Sequence, residues 1–266
     1  MLAMNIERLE ELANKGDAES QYKLALYYLD EKGDAVKGKH YLEMSVSNGW
    51  PDALGYLGEL LYEEKLYDKA LILLNRAVDK SPKAKYVLAK MYRDGFGVVR
   101  DKRRYTQMMQ DAASAGEKSA QLYLALSYFN GEDGFIKDLA EAEKWALKAS
   151  GHREDLYCYS EYPYAHALLG KIYEAMGDKS LFMRKRKMEL YGKAKRCFLI
   201  AIIRGFEDAA LDLGLMYSKG FFGSRKEAVS YLTMAVAHGV PGAEKVLKNT
   251  INWFDDKEDL IKNLLF

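Results

Sequence analysis

The chain has 266 residues, 49% of them hydrophobic and 30% charged, a composition that suits a globular protein with a sizeable buried core. Lys and Arg number 40 against 39 Asp and Glu, a formal net charge of +1, so no electrostatic case exists for a nucleic-acid partner. Stretches approaching ~20 consecutive apolar residues are missing, which argues against a membrane span, and two cysteines are too few for a disulfide framework.

In chain order, residues 4–15 place Ile6, Leu9 and Leu12 on one face and stop at Gly16, which predicts a lone capping helix over 4–16. Glu7, Arg8, Glu10 and Glu11 interrupt this segment, so it is no signal-peptide core. A cytoplasmic location is expected for the chain as written, with a periplasmic or secreted one left open if a leader was removed.

From residue 17 a pattern returns. A Leu followed by a small residue, with a Tyr four positions after the Leu, occurs at Leu24-Ala25…Tyr28, Leu88-Ala89…Tyr92, Leu124-Ala125…Tyr128, Leu169-Gly170…Tyr173 and Leu213-Gly214…Tyr217. Leu57-Gly58 belongs to the series, with Leu61 in the Tyr position. The intervals between these leucines are 33, 31, 36, 45 and 44 residues, a period that signals stacked supersecondary units. Four residues before each Leu stands a small residue: Ser20, Ala53, Ala84, Ala120, Ala165 and Ala209. A later small series, Ser45, Ala77, Ala112, Ala149, Ala201 and Ala235, follows a large residue by four, and Gly49, Ser81, Gly116, Gly205 or Gly239 comes four residues after it. Each unit therefore reads as helix A, a loop, helix B and a turn, with a C-capping glycine or serine. The predicted fold is an all-α solenoid of antiparallel helix pairs. It forms a single domain with six repeats over 17–49, 51–81, 82–116, 117–151, 152–205 and 206–239. The fifth is enlarged by a segment from His152 to Pro163 and by an A–B loop stretched around Gly177 to Glu189. Capping helices are predicted over 240–266, with an acidic turn at Asp255-Asp256.

These residues resemble the Sel-one-like repeat (SLR) family, relatives of the tetratricopeptide repeat. The loop Gly95-Phe96-Gly97-Val98-Val99-Arg100-Asp101 in repeat three carries the likeness best. Gly131, Gly134, Asp138, Ala142, Trp145 and Ala149 in repeat four match it too, as do Gly220, Ala228, Tyr231, Ala235 and Gly239 in repeat six. Repeat two departs from it, with Glu63-Glu64-Lys65 where loop glycines belong. The resemblance implies a right-handed superhelix with helix A lining the concave side, and a role as an adaptor or scaffold for protein partners. Many bacterial members of the family sit in virulence, envelope or secretion settings, and some resemble immunity proteins that neutralise toxins.

The repeated tyrosines are expected to serve interhelix packing. Candidate partner-binding residues lie on helix A just outside that stripe: Glu59, Tyr62, Lys90, Arg93, Lys171 and Glu174, against the alternative of a solvated face. Tyr157, Tyr159 and Tyr162 join them, because the segment Tyr157–Tyr164 packs four tyrosines into eight residues that a solenoid core does not require. The run Arg184-Lys185-Arg186-Lys187 reads as a solvated helix face. His40, His152, His166 and His238 fall in no metal-ligand spacing. No nucleophile motif occurs, and Gly95-Phe96-Gly97 follows a helix rather than a strand, so it is no phosphate loop. Cys197 fills a large-residue core position, and a bridge to Cys158 stays open. A non-catalytic protein-interaction scaffold is expected, bacterial in origin, binding a protein or peptide without cofactor or metal. A dedicated toxin-neutralising immunity protein is the alternative, and an enzyme of unrecognised type ranks behind it. The oligomeric state is left open, with a monomer favoured.

Overall fold

The computed structural model describes residues 6–151, 161–180, 184–219 and 225–265, with the side chains of 161, 162 and 256–265 outside the description. Every regular element among the described residues is a helix. In chain order these are α1 (Ile6–Asn14), α2 (Ala18–Leu26), α3 (Ala35–Ser47), α4 (Pro51–Glu63), α5 (Tyr67–Ala77), α6 (Pro82–Asp94) and α7 (Lys102–Ser114). They continue with α8 (Lys118–Asn130), α9 (Leu139–Ser150), α10 (Glu161–Lys179), α11 (Arg184–Ile203), α12 (Ala209–Ser218), α13 (Arg225–Ala237) and α14 (Ala243–Leu265). A π-helical turn, Tyr27–Glu31, prolongs α2. The fold is an all-α helical solenoid, and it divides into two compact units, residues 1–124 and 125–266.

Within the first unit, helix A of each repeat packs on its own helix B (α2 on α3, α4 on α5, α6 on α7), and α4 also packs on α6. Within the second, α10 pairs with α11 and α12 with α13, while α10 also meets α12. The small residues that recur in the sequence are the contact points. Ala53, Ala84, Ala120, Ala165 and Ala209 are wholly buried, and so are Ser45, Ala112, Ala201 and Ala235. The residue after the repeat leucine is where helix B presses hardest. A Cβ on Gly58 would lie 2.5 Å from Leu74, one on Gly170 2.5 Å from Phe198, and one on Gly214 2.7 Å from Leu232. Leu54, Leu74, Val87, Leu88 and Met91 fill the core of the first unit, each stabilising it by roughly 1.5–3 kcal/mol through burial.

The repeat tyrosines pack between the helices of a pair. Tyr28 stacks on Tyr41 at 5.7 Å between ring centroids, and Tyr217 on Tyr231 at 5.6 Å. The Tyr28 hydroxyl also donates to Glu10 on the capping helix, a bond that pushes its pKa up to about 12.

Helix B begins on an N-capping aspartate in repeats one, three and four. The Asp34 side chain accepts from the Lys37 N–H, Asp101 from Arg104 and Asp138 from Ala140 and Glu141, which satisfies amides that a helix start leaves open. Repeat two lacks this device. Its α5 is preceded by Leu66 with no side-chain cap, and Lys65 takes the left-handed conformation (φ 63°) that glycine holds elsewhere.

Three expectations are corrected. The stretched A–B loop of repeat five is mostly helix, because α10 runs on to Lys179 and α11 starts at Arg184. The acidic turn at Asp255-Asp256 is also helix: α14 continues unbroken through it, held in part by Arg225, whose guanidinium pairs with Asp255 at 2.5 Å. Ser81 opens a helix rather than closing one. It caps α6 by accepting from the Ala84 N–H at 3.3 Å, and its hydroxyl donates to Asp52 at 2.8 Å.

Candidate functional site

The A-helices of the first unit carry one polar and aromatic stripe each. On α4 the spacing of Asp52, Tyr56, Glu59 and Glu63 by three or four residues puts them on one face. On α6 Lys83, Tyr86, Lys90 and Arg93 do the same. Four predicted residues, Glu59, Tyr62, Lys90 and Arg93, lie in these stripes and are engaged with neighbours.

Two networks hold them. In the first, the Lys83 ammonium stands 3.1 Å from Glu59 and 3.3 Å from Glu117. The lysine side chain is only 19% exposed and the two carboxylates 18% and 13%, so water screens this triad less than a surface ion pair, and removing one partner would leave a half-buried charge uncompensated. In the second, Asp94 receives the Tyr62 hydroxyl at 2.6 Å and two bonds from the Arg93 guanidinium at 2.7 and 3.0 Å. Arg93 also donates to the Tyr123 hydroxyl at 2.6 Å with its guanidinium over the same ring. Burial alone would raise the Asp94 carboxyl, but the bonds from Arg93 and Tyr62 outweigh it and hold its pKa below the usual carboxylate range. Lys90 lies over the rings of Tyr62 and Tyr86, at 4.7 and 5.3 Å from their centroids.

Sequence reasoning missed Tyr22, Tyr56, Lys83, Asp94 and Tyr123. For Tyr56 and Asp94 the helical spacing from Glu59 and Lys90 was the available signal, whereas Tyr22 and Tyr123 lie on helices that carry no predicted residue. Tyr22 and Tyr56 meet edge to face at 6.4 Å. Burial first, then Asp30, Glu59 and Glu63, raise the Tyr56 hydroxyl, with Lys83 alone opposing. The Asp30 carboxyl is raised by burial, again with Lys83 opposing.

In the second unit Lys171 pairs with Asp212 at 3.1 Å, and Glu174 with Lys219 at 2.6 Å. Lys219 also reaches Asp178 at 3.7 Å, and Asp178 accepts the Tyr191 hydroxyl. Burial raises the Asp212 carboxyl against the pull of Lys171. Tyr157 and Tyr159, with Cys158, lie outside the described residues, and the side chain of Tyr162 is likewise undescribed. Tyr164, at the end of that run, is exposed and meets Phe206 edge to face at 5.3 Å. The basic run Arg184–Lys187 occupies the first turn of α11, with Arg184, Lys185 and Arg186 exposed. Cys197 is a free thiol whose pKa burial pushes up to about 11.

The arrangement offers aromatic faces, carboxylates and cations. Among the described residues no group of three His, Cys, Asp or Glu could hold a metal ion, and no helix is long and apolar enough to cross a membrane. His238 pairs with Glu207 at 2.9 Å, and His166 is buried.

Known structures share this architecture. A Sel1 repeat protein from Oxalobacter formigenes is 27% identical, with a TM-score of 0.55, over 73% of this chain and 74% of its own. A putative sel1 repeat protein from Klebsiella pneumoniae subsp. pneumoniae is 22% identical, with a TM-score of 0.51, over 80% of this chain and 99% of its own. A protective antigen present in uropathogenic Escherichia coli strains, displaying an SLR fold, is 21% identical with a TM-score of 0.43; the match covers 92% of this chain but 59% of the antigen. The family model of the Sel1 repeat matches residues 18–50, 82–116, 118–151 and 207–240. The unmatched repeats are two and five, the two that depart in sequence. Sel1 repeats are in general protein–protein interaction modules, and with just over half of its length matched, the chain belongs to the Sel1 repeat family.

Proposed function

We propose that this chain is a non-catalytic scaffold that holds a protein partner on its A-helix face. The observation that carries the reading is the pair of stripes on α4 and α6. They place Tyr56, Tyr62 and Tyr86 among charged side chains, with Tyr123 of α8 bonded to Arg93, and such mixed aromatic and charged faces make interface anchors. Glu59, Tyr62, Lys90 and Arg93 would form the contact surface of the first unit, and Lys171 and Glu174 that of the second. Their internal bonds preorganise them, which lowers the cost of ordering side chains on association. Tyr157, Tyr159 and Tyr162 would add an aromatic edge in repeat five.

The test is site-specific photo-crosslinking of the full chain in its native host. A photoreactive residue at Lys90 or Lys171 is expected to capture a protein, and one at Ile72, exposed on helix B, is expected to capture none. Equal capture from both faces would refute the reading. For the captured partner, alanine at Tyr157, Tyr159 and Tyr162 should weaken affinity by ~2 kcal/mol or more, as hot-spot aromatics do. A fall in melting temperature with unchanged affinity would make that segment structural.

A further inference from the structure

The A-helix face of the first unit is not electrically closed, and the repeat register shows why. Asp30, Glu63 and Asp94 occupy the same position in consecutive repeats, six residues after Leu24, Leu57 and Leu88. Only Asp94 is satisfied. Its donor from the preceding repeat is Tyr62, five residues after Leu57. One repeat upstream that position is Leu29, which has no hydroxyl to offer Glu63. Asp30 has the capping helix α1 before it rather than a full repeat.

The cations of this face make their direct contacts elsewhere. Lys83 pairs with Glu59 and Glu117 and reaches Asp30 and Tyr56 only through its field, Arg93 is held by Asp94 and Tyr123, Lys90 sits over Tyr62 and Tyr86, Lys23 pairs with Glu19, and Lys32 lies over Tyr27. Among the described residues no ion pair or side-chain hydrogen bond closes on Asp30 or Glu63. Both carboxylates act electrostatically on the Tyr56 hydroxyl, and the Tyr56 ring meets that of Tyr22. The π-helical turn Tyr27–Glu31, of a kind that often marks functional sites, carries Asp30 itself. Two unpaired carboxylates beside a pair of half-buried aromatic rings are complementary to a cation that also has an apolar stem. Arginine and lysine are such side chains, because they lay the stem on a ring and put the charge on the carboxylates.

Resting on the scaffold reading above, we infer that the partner docks on α2 and α4 through an extended segment carrying arginine or lysine, with its cationic side chain between Tyr22, Tyr56, Asp30 and Glu63. Complementarity of this kind governs specificity and association rate more than total affinity, so the interaction is selective for charge sign and weakens with salt.

The experiment uses the full chain and three fluorescein-labelled peptides of equal length, with Arg, Glu or Gln at every third position of a Gly-Ser background. Fluorescence anisotropy is read at low and physiological salt. The Arg peptide is expected to bind, more weakly as salt rises, and the Glu and Gln peptides are not. Asp30→Asn with Glu63→Gln should weaken the Arg peptide by about tenfold or more, the scale of a lost partly desolvated cation site. Glu141→Gln with Glu189→Gln makes the same change of net charge in the second unit and should leave it unaltered. Melting curves of both double variants check the fold. Equal binding of the Glu or Gln peptide, equal losses from the two double variants, or no binding of any peptide would each overturn the inference. A protein captured by crosslinking whose affinity ignores Asp30→Asn and Glu63→Gln would sink this inference alone. Failure to capture any protein would sink the scaffold reading beneath it.

Discussion

Lys65 shows what a single residue has to absorb when a repeat loses its loop signature. The chain turns from α4 into α5 through a left-handed residue, as other repeats do at Gly33 and Gly131, yet here the residue bears a side chain. That conformation costs a non-glycine residue roughly 1–2 kcal/mol. Lys65→Gly is therefore expected to stabilise the protein by about 0.5–1 kcal/mol, less than the full relief because glycine also loosens the unfolded chain. A urea titration checks it, and a lower midpoint would mean that the lysine makes a contact worth more than the strain. The sequence made the missing glycines visible, but not which residue would take the turn. At the same scale the pairing of Tyr62 with Asp94 was hidden, since two residues 32 apart meet only through the stacking of repeats. The helix A positions of Glu59, Lys90 and Arg93 were legible from the repeat period, whereas the part of Lys83, which pairs with two carboxylates at once, was not.

Among the elements, the helix pair is set by how closely its axes approach, and glycines of equal sequence appearance differ in that respect. Gly58 on α4 has the Leu74 side chain against it, with a Cβ position 2.5 Å from Cδ2, and Leu74 is wholly buried and cannot move aside. Gly192 on α11 has nothing within 4 Å. Gly58→Ala should destabilise by about 1–2 kcal/mol through overpacking, in spite of alanine's better helix propensity. Gly192→Ala should stabilise by about 0.5–1 kcal/mol. Thermal melts of the two variants are expected to shift in opposite directions, and a common direction would show that propensity rather than packing rules these positions. The repeat pattern distinguished them beforehand, because Gly58 follows a repeat leucine and Gly192 belongs to no series. Boundaries in repeat five were less legible: its extra length suggested a loop around Gly177 to Glu189, yet α10 and α11 carry helix through most of it.

For the molecule as a whole, the repeat leucines and small residues were enough to establish the all-α class. Six correlated copies of one pattern leave little room for another architecture. Far-UV circular dichroism should accordingly report helix far above the ~30–35% of an average globular protein, and a substantial strand signal would contradict the fold. The chemistry of the A-helix face was much less legible. It depends on which side chains neutralise one another, and that is decided by neighbours about thirty residues away rather than by any local motif.

The bond from Tyr62 to Asp94 has one more consequence. It crosses from one repeat to the next, so the bonding of Asp94 depends on which repeat precedes it. If repeat two were excised, Asp94 would face Leu29, lose its tyrosine and keep only the bonds from Arg93, although every helix pair kept its own core. A duplication of repeat two would give Glu63 of the second copy a tyrosine partner and silence it. Gain or loss of a repeat therefore rewrites the charge pattern of the A-helix face at the seam it creates, with no point mutation in either flanking unit.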